Sequence, residues 1–442
     1  MRILFISPRI LHQPSSKRSI PLFTRFLGNI IFSSPLEFYV LASVTPPQHE
    51  ITMIDDEYQD VDYKGEYDLV GITATTPTAF RAYDIADEFR TKGTTVVLGG
   101  WHPTILPEEA KQHADSVVIG EGEDCWPLLL SDFENGALRP FYAQTTPVDL
   151  SSYPPPSRKK IRHNKKFFIE RVQAARGCSM GCDYCSIAHS ILGRTPRFRR
   201  IDDVVKEIES IPQKFIHFSD PSLTMNPQYY KQLFTALKGL NKKYFCNGNI
   251  SVLAHDNELL RLSSDAGVLE WAIGFESLSQ KSLDLVGKKS NRVDDFARGA
   301  KKIHEYGMGV LGNFIFGLDD DHLDIFSKTI QAIDDFELDL ASFTIFTPFP
   351  GTKTYTKLEM ENRILTKDWS KYDLRHVVFQ PKYMTPDELM KGISHAYDEL
   401  YSRYRTVKRG FRCLKFGPNS FMMTGLQNFF MRPLYKTKAP IK

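Results

Sequence analysis

A single short loop of this chain has to present three sulfurs to one place. Half of the six cysteines fall in the stretch Arg176-Gly177-Cys178-Ser179-Met180-Gly181-Cys182-Asp183-Tyr184-Cys185, spaced Cys-x3-Cys-x2-Cys. Thiolates this close together select zinc or an iron–sulfur centre. Structural zinc takes four ligands, and His189 is the only nearby candidate for a fourth. Three cysteines on a four-iron cluster leave one iron open to a small molecule, which favours the cluster over zinc or over three packed core thiols. Cys125, Cys246 and Cys413 are scattered singly. That argues against a disulfide framework, for a reducing compartment, and against a second cysteine-bound cluster.

The length, 442 residues, predicts two or three domains. No uncharged apolar run reaches the length of a membrane-spanning helix. The opening MRILFISPRI reads as a buried strand and not as a signal peptide, so the expected location is the cytoplasm. All the excess positive charge lies beyond residue 400, where ten lysines and arginines stand without one acid. The first 400 residues are net acidic, which excludes a general nucleic-acid surface. In the tail the cations alternate with Phe416, Phe421, Met422, Met423, Phe429, Phe430 and Met431. Such a pattern predicts peripheral membrane contact, against the plainer reading of a helix docked on the protein.

Residues 1–150 alternate β-rich runs with helical spacing. Strands are predicted over 3–7, 51–54, 69–73, 95–98 and 116–119, with helices over 80–91 and 107–113. Apolar strands separated by helices predict a Rossmann-like, doubly wound parallel sheet, which binds ligands at the carboxyl ends of its strands. Those ends carry Thr73, Thr75 and Thr76, then Gly99, Gly100 and His102, then Gly120, Glu121 and Gly122. Glycines and small hydroxyls allow close approach of a flat or phosphate-bearing ligand; the alternative is that they only turn the chain.

The proline run of residues 151–166 reads as a stiff linker. Lys159, Lys160, Arg162, Lys165 and Lys166 there are either an anion clamp or, more simply, a solvated junction. From 167 to 355 six βα units follow, with strands over 168–174, 215–218, 244–247, 269–275, 310–316 and 341–346. They predict a partial (β/α)6 barrel with active residues at the C-terminal strand ends. Ser290 is expected to cap the helix that stops at Gly307. Residues 356–404 form a C-terminal extension with a short strand at 376–381 and a helix over 386–404 capped by Thr385. His376 there is either a pocket residue or a packed surface histidine. Residues 405–442 are the basic tail.

The cysteine spacing, with an aromatic residue just before the last cysteine, resembles the cluster motif of the radical S-adenosylmethionine (SAM) enzymes. That resemblance implies that Cys178, Cys182 and Cys185 hold a 4Fe–4S cluster. It further implies that Tyr184, Ser219, Asp220, Asn247, Asn249, Glu276, Gly312 and Gly317 contact SAM. The segments DLVGIT, VVLGGWHPTILPEEA and DSVVIGEGE resemble the cobalamin-binding domain of one large radical SAM subfamily. The Asp-x-His-x-x-Gly pattern that gives cobalt a histidine elsewhere is missing, which implies cobalamin held without a histidine ligand. A domain that has lost its cofactor is the alternative. DWSKYD and HVVFQPKYMTPDEL are similar to the C-terminal extension of cobalamin-dependent members, some acting on hopanoid lipids.

What this implies is cleavage of SAM to a 5′-deoxyadenosyl radical, hydrogen abstraction, and transfer of a methyl group from cobalamin to an unactivated carbon of a small molecule or lipid. An electron donor such as flavodoxin or ferredoxin would be the partner. No catalytic residue is expected beyond the cluster and cofactors. Oxidative cyclisation or rearrangement, and a cofactor sensor without turnover, are the competing readings. Methylthiolation of tRNA is disfavoured because the additional N-terminal cysteines and a basic RNA-binding domain are absent.

Overall fold

The structure, a computed structural model, describes residues 1–12, 35–162, 168–191 and 193–420, together with 424, 425 and 428. Its first seven strands are β1 (Arg2–Ser7), β2 (Glu50–Asp55), β3 (Leu69–Thr73), β4 (Thr95–Gly99), β5 (Ser116–Ile119), β6 (Phe141–Ala143) and β7 (Ile161–Arg162). They form one sheet in the order β6-β5-β4-β3-β1-β2-β7, parallel throughout. The order reverses beside β1, so the crevice at the carboxyl ends of β1 and β3 is where such a sheet takes a ligand.

Both faces are covered, which is why these strands read as unbroken apolar runs. Leu36–Val44 and Gly122–Glu134 cover one face through Phe38, Trp126 and Leu129. Ala79–Thr91 covers the other, joined by Tyr355, Trp369, Tyr372 and Val378 from far down the chain. Helix Gly122–Glu134 escapes the sequence pattern because Pro127 interrupts it.

The second sheet holds β8 (Ile169–Val172), β11 (Phe215–Phe218), β12 (Lys243–Gly248), β13 (Val268–Glu276), β14 (Gly309–Phe316) and β15 (Leu340–Ile345). Its six strands run parallel in the order β15-β14-β13-β12-β11-β8. Between β8 and β11 lies a two-residue antiparallel ribbon, β9 (Ala175–Arg176) with β10 (Arg197–Phe198). Outward side chains such as Ile216, Phe218, Tyr244 and Trp271 join the helices in one large core.

The expected strands and most helices stand within a few residues of their predicted ends. Four details differ. Ser290 caps nothing: the helix Phe296–Glu305 is entered through a 3-10 turn at Val293–Asp295, and the Ser290 hydroxyl is buried without a partner. The helix begun at Thr385, with the expected capping box, stops at Leu400. Tyr401 is buried and donates to the Ala341 carbonyl, so the chain turns before a second helix, Arg403–Arg412. Residues 376–381 make only an isolated bridge, Ile364 with Phe379. Part of the basic linker is sheet: Ile161 and Arg162 pair with β2, and Lys160 donates to the Thr45 carbonyl. Lys165 and Lys166 lie outside the described residues.

The tail begins as a docked helix. Arg412 reaches the Leu338 carbonyl at 2.6 Å and Asp339 at 3.3 Å, just ahead of β15, with Cys413 buried beside it. Phe421, Met422, Met423, Phe429, Phe430 and Met431 lie outside the described residues. Among the described residues no helix is long and apolar enough to cross a membrane.

Candidate active site

The cysteine loop spans the residues between β9 and β10 and is closed at its base by the Cys178 amide donating to the Gly193 carbonyl at 2.6 Å. Gly177 has φ +83°, and a Cβ there would lie 2.5 Å from the Thr195 carbonyl oxygen. Only glycine lets the chain turn into this loop. The loop is pinned on its far side. The Asp183 amide donates to the Val286 carbonyl at 2.9 Å, its carbonyl accepts from Thr354, and its carboxylate meets Lys353 at 3.2 Å.

Cys182 is buried, while Cys178 and Cys185 are partly open, and all three are free thiols. Burial pushes the Cys178 thiol up and the Cys182 thiol to about 11, with the neighbouring sulfurs acting in the same direction. Among the described residues no three His, Cys, Asp or Glu side chains enclose a single ion. The donor set fits an iron–sulfur group: three sulfurs that resist ionisation by themselves need the positive charge that iron brings. His189 Nδ1 donates to the Cys185 carbonyl at 3.0 Å, and its Nε2 is buried without a partner.

Lys288 is the residue that sequence reasoning missed here. Its ammonium lies 2.9 Å from Glu276, and its charge opposes the upward push on the Cys178 and Cys182 thiols. Glu276 sits at φ +65°, in the left-handed region that costs a non-glycine residue energy. Gly274 makes that possible, since a Cβ there would strike the Glu276 carboxylate at 2.3 Å. Tyr184 also hydrogen-bonds Glu276, and burial keeps its phenol protonated. Tyr184, Glu276 and Lys288 thus form one cluster at the cysteine loop.

The other residues expected to contact SAM divide. Ser219 accepts from the Arg171 Nε at 2.9 Å. Asp220 is 0 % exposed, accepts from the Ala174 amide at 2.9 Å and the Tyr230 hydroxyl at 3.0 Å, and is pushed up to about 6 by burial. Its oxygens are committed to holding β8 and β11 together. Asn247 donates to the Asp220 carbonyl at 2.9 Å, and Asn249 is buried against Asn291 at 2.7 Å while capping the helix Ile250–Leu253. Gly312 faces outward, where a Cβ would meet Leu338 at 2.7 Å, and Gly317 lies against Leu389. Packing accounts for both glycines.

On the first sheet the expected loops lie side by side. Thr73 pairs in register with Gly99, the Ala74 amide donates to the Gly99 carbonyl, and the Gly120 amide donates to Thr104. Gly100 has φ +98°, and a Cβ there would stand 2.8 Å from both the Ala74 carbonyl and the Thr73 hydroxyl. Thr75 and Thr76 open a 3-10 turn held by Thr78, and Gly122 makes room for Leu41. His102 is 0 % exposed, its ring nitrogens 3.4 Å from Thr76 and 3.1 Å from Glu109. Neither nitrogen is left for a metal. Trp101 beside it, not singled out by sequence reasoning, is 40 % exposed at this strand end. A glycine-walled cradle with an open indole and no available histidine fits a flat cofactor bound without a protein ligand to its metal.

The two sites are joined by an ionic clamp. Arg176 and Arg197 face each other across the ribbon at the base of the cysteine loop. Arg197 grips both Glu121 oxygens at 2.7 Å, and Arg176 meets Glu121 at 3.3 Å and Glu123 at 2.6 Å. Burial alone would raise the Glu121 carboxyl, but the Arg197 hydrogen bonds and both arginine charges hold it below its ordinary value.

Two family models match the chain, that of the Radical SAM superfamily over residues 172–333 and that of the B12 binding domain over residues 45–130. The bacteriochlorophyllide d C-12(1)-methyltransferase of Chlorobaculum tepidum is 31 % identical over 90 % of this chain and 88 % of its own length. The bacteriochlorophyllide d C-8(2)-methyltransferase of the same organism is 30 % identical, covering 82 % of this chain and 84 % of its own length. Among solved structures, the fold is similar to the radical S-adenosylmethionine methyltransferase TsrM from Kitasatospora setae, solved with cobalamin and an iron–sulfur cluster. The TM-score is 0.66 at 17 % identity, over 81 % of this chain and 78 % of that one.

Proposed function

The chain belongs to the cobalamin-binding branch of the radical SAM superfamily, and we propose that it transfers a methyl group to an unactivated carbon of a tetrapyrrole. The carrying observation is the clamp, which holds the cysteine loop and the glycine-walled strand ends of the first sheet against one another. The two curated relatives named above, both methyltransferases of a bacteriochlorophyllide, support the reaction and the substrate class. When bound, the cofactors supply a hydrogen-abstracting 5′-deoxyadenosyl radical and a transferable methyl group.

The chain's own residues bind, orient and shield. Cys178, Cys182 and Cys185 provide the sulfurs, and Lys288 offsets their negative charge. We assign SAM to Tyr184, Glu276, Asn247 and Ser219 at the barrel mouth, with Asp220 and Asn249 bracing that wall from behind. Thr73, Thr75, Gly99, Gly100, Gly120 and the Trp101 indole line the cobalamin side, and Thr76 and His102 hold that loop from within. The barrel walls would serve to shield bound cofactors from water and oxygen. The mechanism requires no acid–base dyad. An electron donor of the flavodoxin or ferredoxin type is the partner this chemistry needs. Contact with a membrane surface is assigned to the helix Arg403–Arg412, which leaves Tyr404 and Val407 exposed among Arg403 and Lys408.

The test is anaerobic reconstitution with iron, sulfide, cobalamin and SAM, followed by assays for 5′-deoxyadenosine and S-adenosylhomocysteine in the presence of a chlorophyllide. Both products together with a methylated pigment are expected. Formation of 5′-deoxyadenosine alone would assign the chain to oxidation or rearrangement instead.

A further inference from the structure

Most arginines around the base of the cysteine loop are paired with a carboxylate, whereas Arg194, exposed on the loop itself, meets only the Gly181 carbonyl. Arg158 meets Glu170 at 3.2 Å and Glu207 at 2.8 Å, Arg176 meets Glu123, Arg197 meets Glu121, and Arg199 meets Glu207. Arg171 has no carboxylate within 4 Å among the described residues. Its Nε donates to Ser219, and its two terminal nitrogens make no hydrogen bond to any described residue.

The register of the sheet says where this unpaired charge faces. Arg171 pairs with His217 on β11, and His217 with Phe245 on β12. Parallel neighbours in register share a face. This is the inner face, because the alternate residues Val172, Ile216 and Tyr244 belong to the outer, helix-packed core. Below lies an apolar floor of Ile169, Phe215 and Leu269, with Phe245 packed on it. Burial keeps the His217 imidazole neutral, with a pKa of about 4, and the Arg171 charge pushes it the same way. Nearby carboxylates are committed elsewhere: Glu170 to Arg158, Asp220 to Ala174 and Tyr230, and Glu270, near the floor, to Thr424 at 2.7 Å.

A partly buried cation beside an apolar floor, with no carboxylate of its own, gains when an anion joins it. A guanidinium with two free terminal nitrogens is shaped for a carboxylate gripped by two parallel hydrogen bonds. We propose that Arg171, oriented by Ser219 and flanked by His217, receives a carboxylate carried by the substrate. The substrate is therefore a largely apolar molecule bearing an acidic side chain. This rests on the reading of the barrel interior as the reaction chamber. The methionyl carboxylate of SAM shares the chemistry and is the rival source.

The experiment uses the cluster-reconstituted full chain, alone and as Arg171→Met and Arg171→Lys. Phenylglyoxal labelling of Arg171, read by mass spectrometry, should be blocked by octanoate and not by octanol. No labelling, or equal labelling with both, overturns the proposal and needs no variant to fold. Protoporphyrin IX should lose about tenfold or more in affinity with Arg171→Met, its dimethyl ester should not, and Arg171→Lys should restore part of the loss. SAM affinity should not move. A fall in SAM affinity with porphyrin binding unchanged would overturn the assignment to the substrate in favour of the methionyl group. If wild type binds neither porphyrin, the tetrapyrrole reading fails, and the octanoate result still decides the role of Arg171.

Discussion

Neutralising Glu121 tests whether the clamp couples the two halves of the chain. Glu121→Gln keeps the shape and removes the charge that Arg197 holds at 2.7 Å through both oxygens and that Arg176 meets at 3.3 Å. The substitution leaves two arginines opposite one another across the ribbon, with Glu123 alone to offset them. Like charges directly opposite in a sheet repel. Removing one partner of a buried ion pair costs about 3–5 kcal/mol. The side chains here keep 13–20 % exposure, so the lower end, about 3 kcal/mol, is expected. The depressed carboxyl sets the pH dependence. Glu121 stabilises the fold above its ordinary carboxylate range, and that contribution is lost as pH falls through its lowered pKa, whereas Glu121→Gln lacks the decline. Urea midpoints for the wild type, Glu121→Gln, Arg197→Met and the double variant form a cycle, with hydrogen exchange of residues 177–196 followed in parallel. A coupling below about 0.5 kcal/mol, or unchanged exchange of the cysteine loop, would refute the clamp as a link between the two sites.

Three further outcomes are expected. Replacing Cys178, Cys182 and Cys185 together by alanine should abolish both the cluster absorbance and 5′-deoxyadenosine formation; retained product would remove the cluster from this loop. Glu270 is buried, and burial pushes its carboxyl up to about 7. The folded state therefore holds a proton that the unfolded chain releases, and stability should fall as pH rises from about 4.5 to 7. Glu270→Gln should flatten that fall by an amount on the order of 3 kcal/mol, as read from denaturation midpoints across pH. Truncation after Tyr404 should abolish pelleting with anionic liposomes, and failure of the full chain to pellet would end the membrane assignment.

The strands of the first sheet were legible in the sequence because both of its faces are covered, so each strand is an apolar run of its own. The cysteine loop was legible because its three sulfurs are neighbours in the chain. Residues joined by folding alone were not. Glu121 and Arg197 lie 76 positions apart, and Trp369 donates to Glu109 across 260, distances over which one sequence carries no pairing signal. Reading strand-end residues as ligand contacts failed to separate the two sides of a strand. Gly312 faces the outer core and His102 the inside of its own domain, while Trp101, one position earlier, opens outward. Arg171 could have been noticed as a charge beside Glu170 in the short strand Ile169–Val172; its lack of a carboxylate partner needed the fold.

The chain visits its first sheet twice. After the barrel, the segment that carries Tyr355, Trp369, Tyr372 and Val378 returns to close an apolar face of the opening domain, and Trp369 locks onto Glu109 beside His102. A protein sewn together at two separate crossings cannot swing open about a single flexible joint. Nor can its opening domain be lifted out as a self-contained cassette, because excision would strip the cover from that face. Exchange of bulky reactants must therefore proceed through shifts of loops at the rim while the two bodies stay in place, and a graft into another enzyme has to carry both the beginning of the chain and this returning segment.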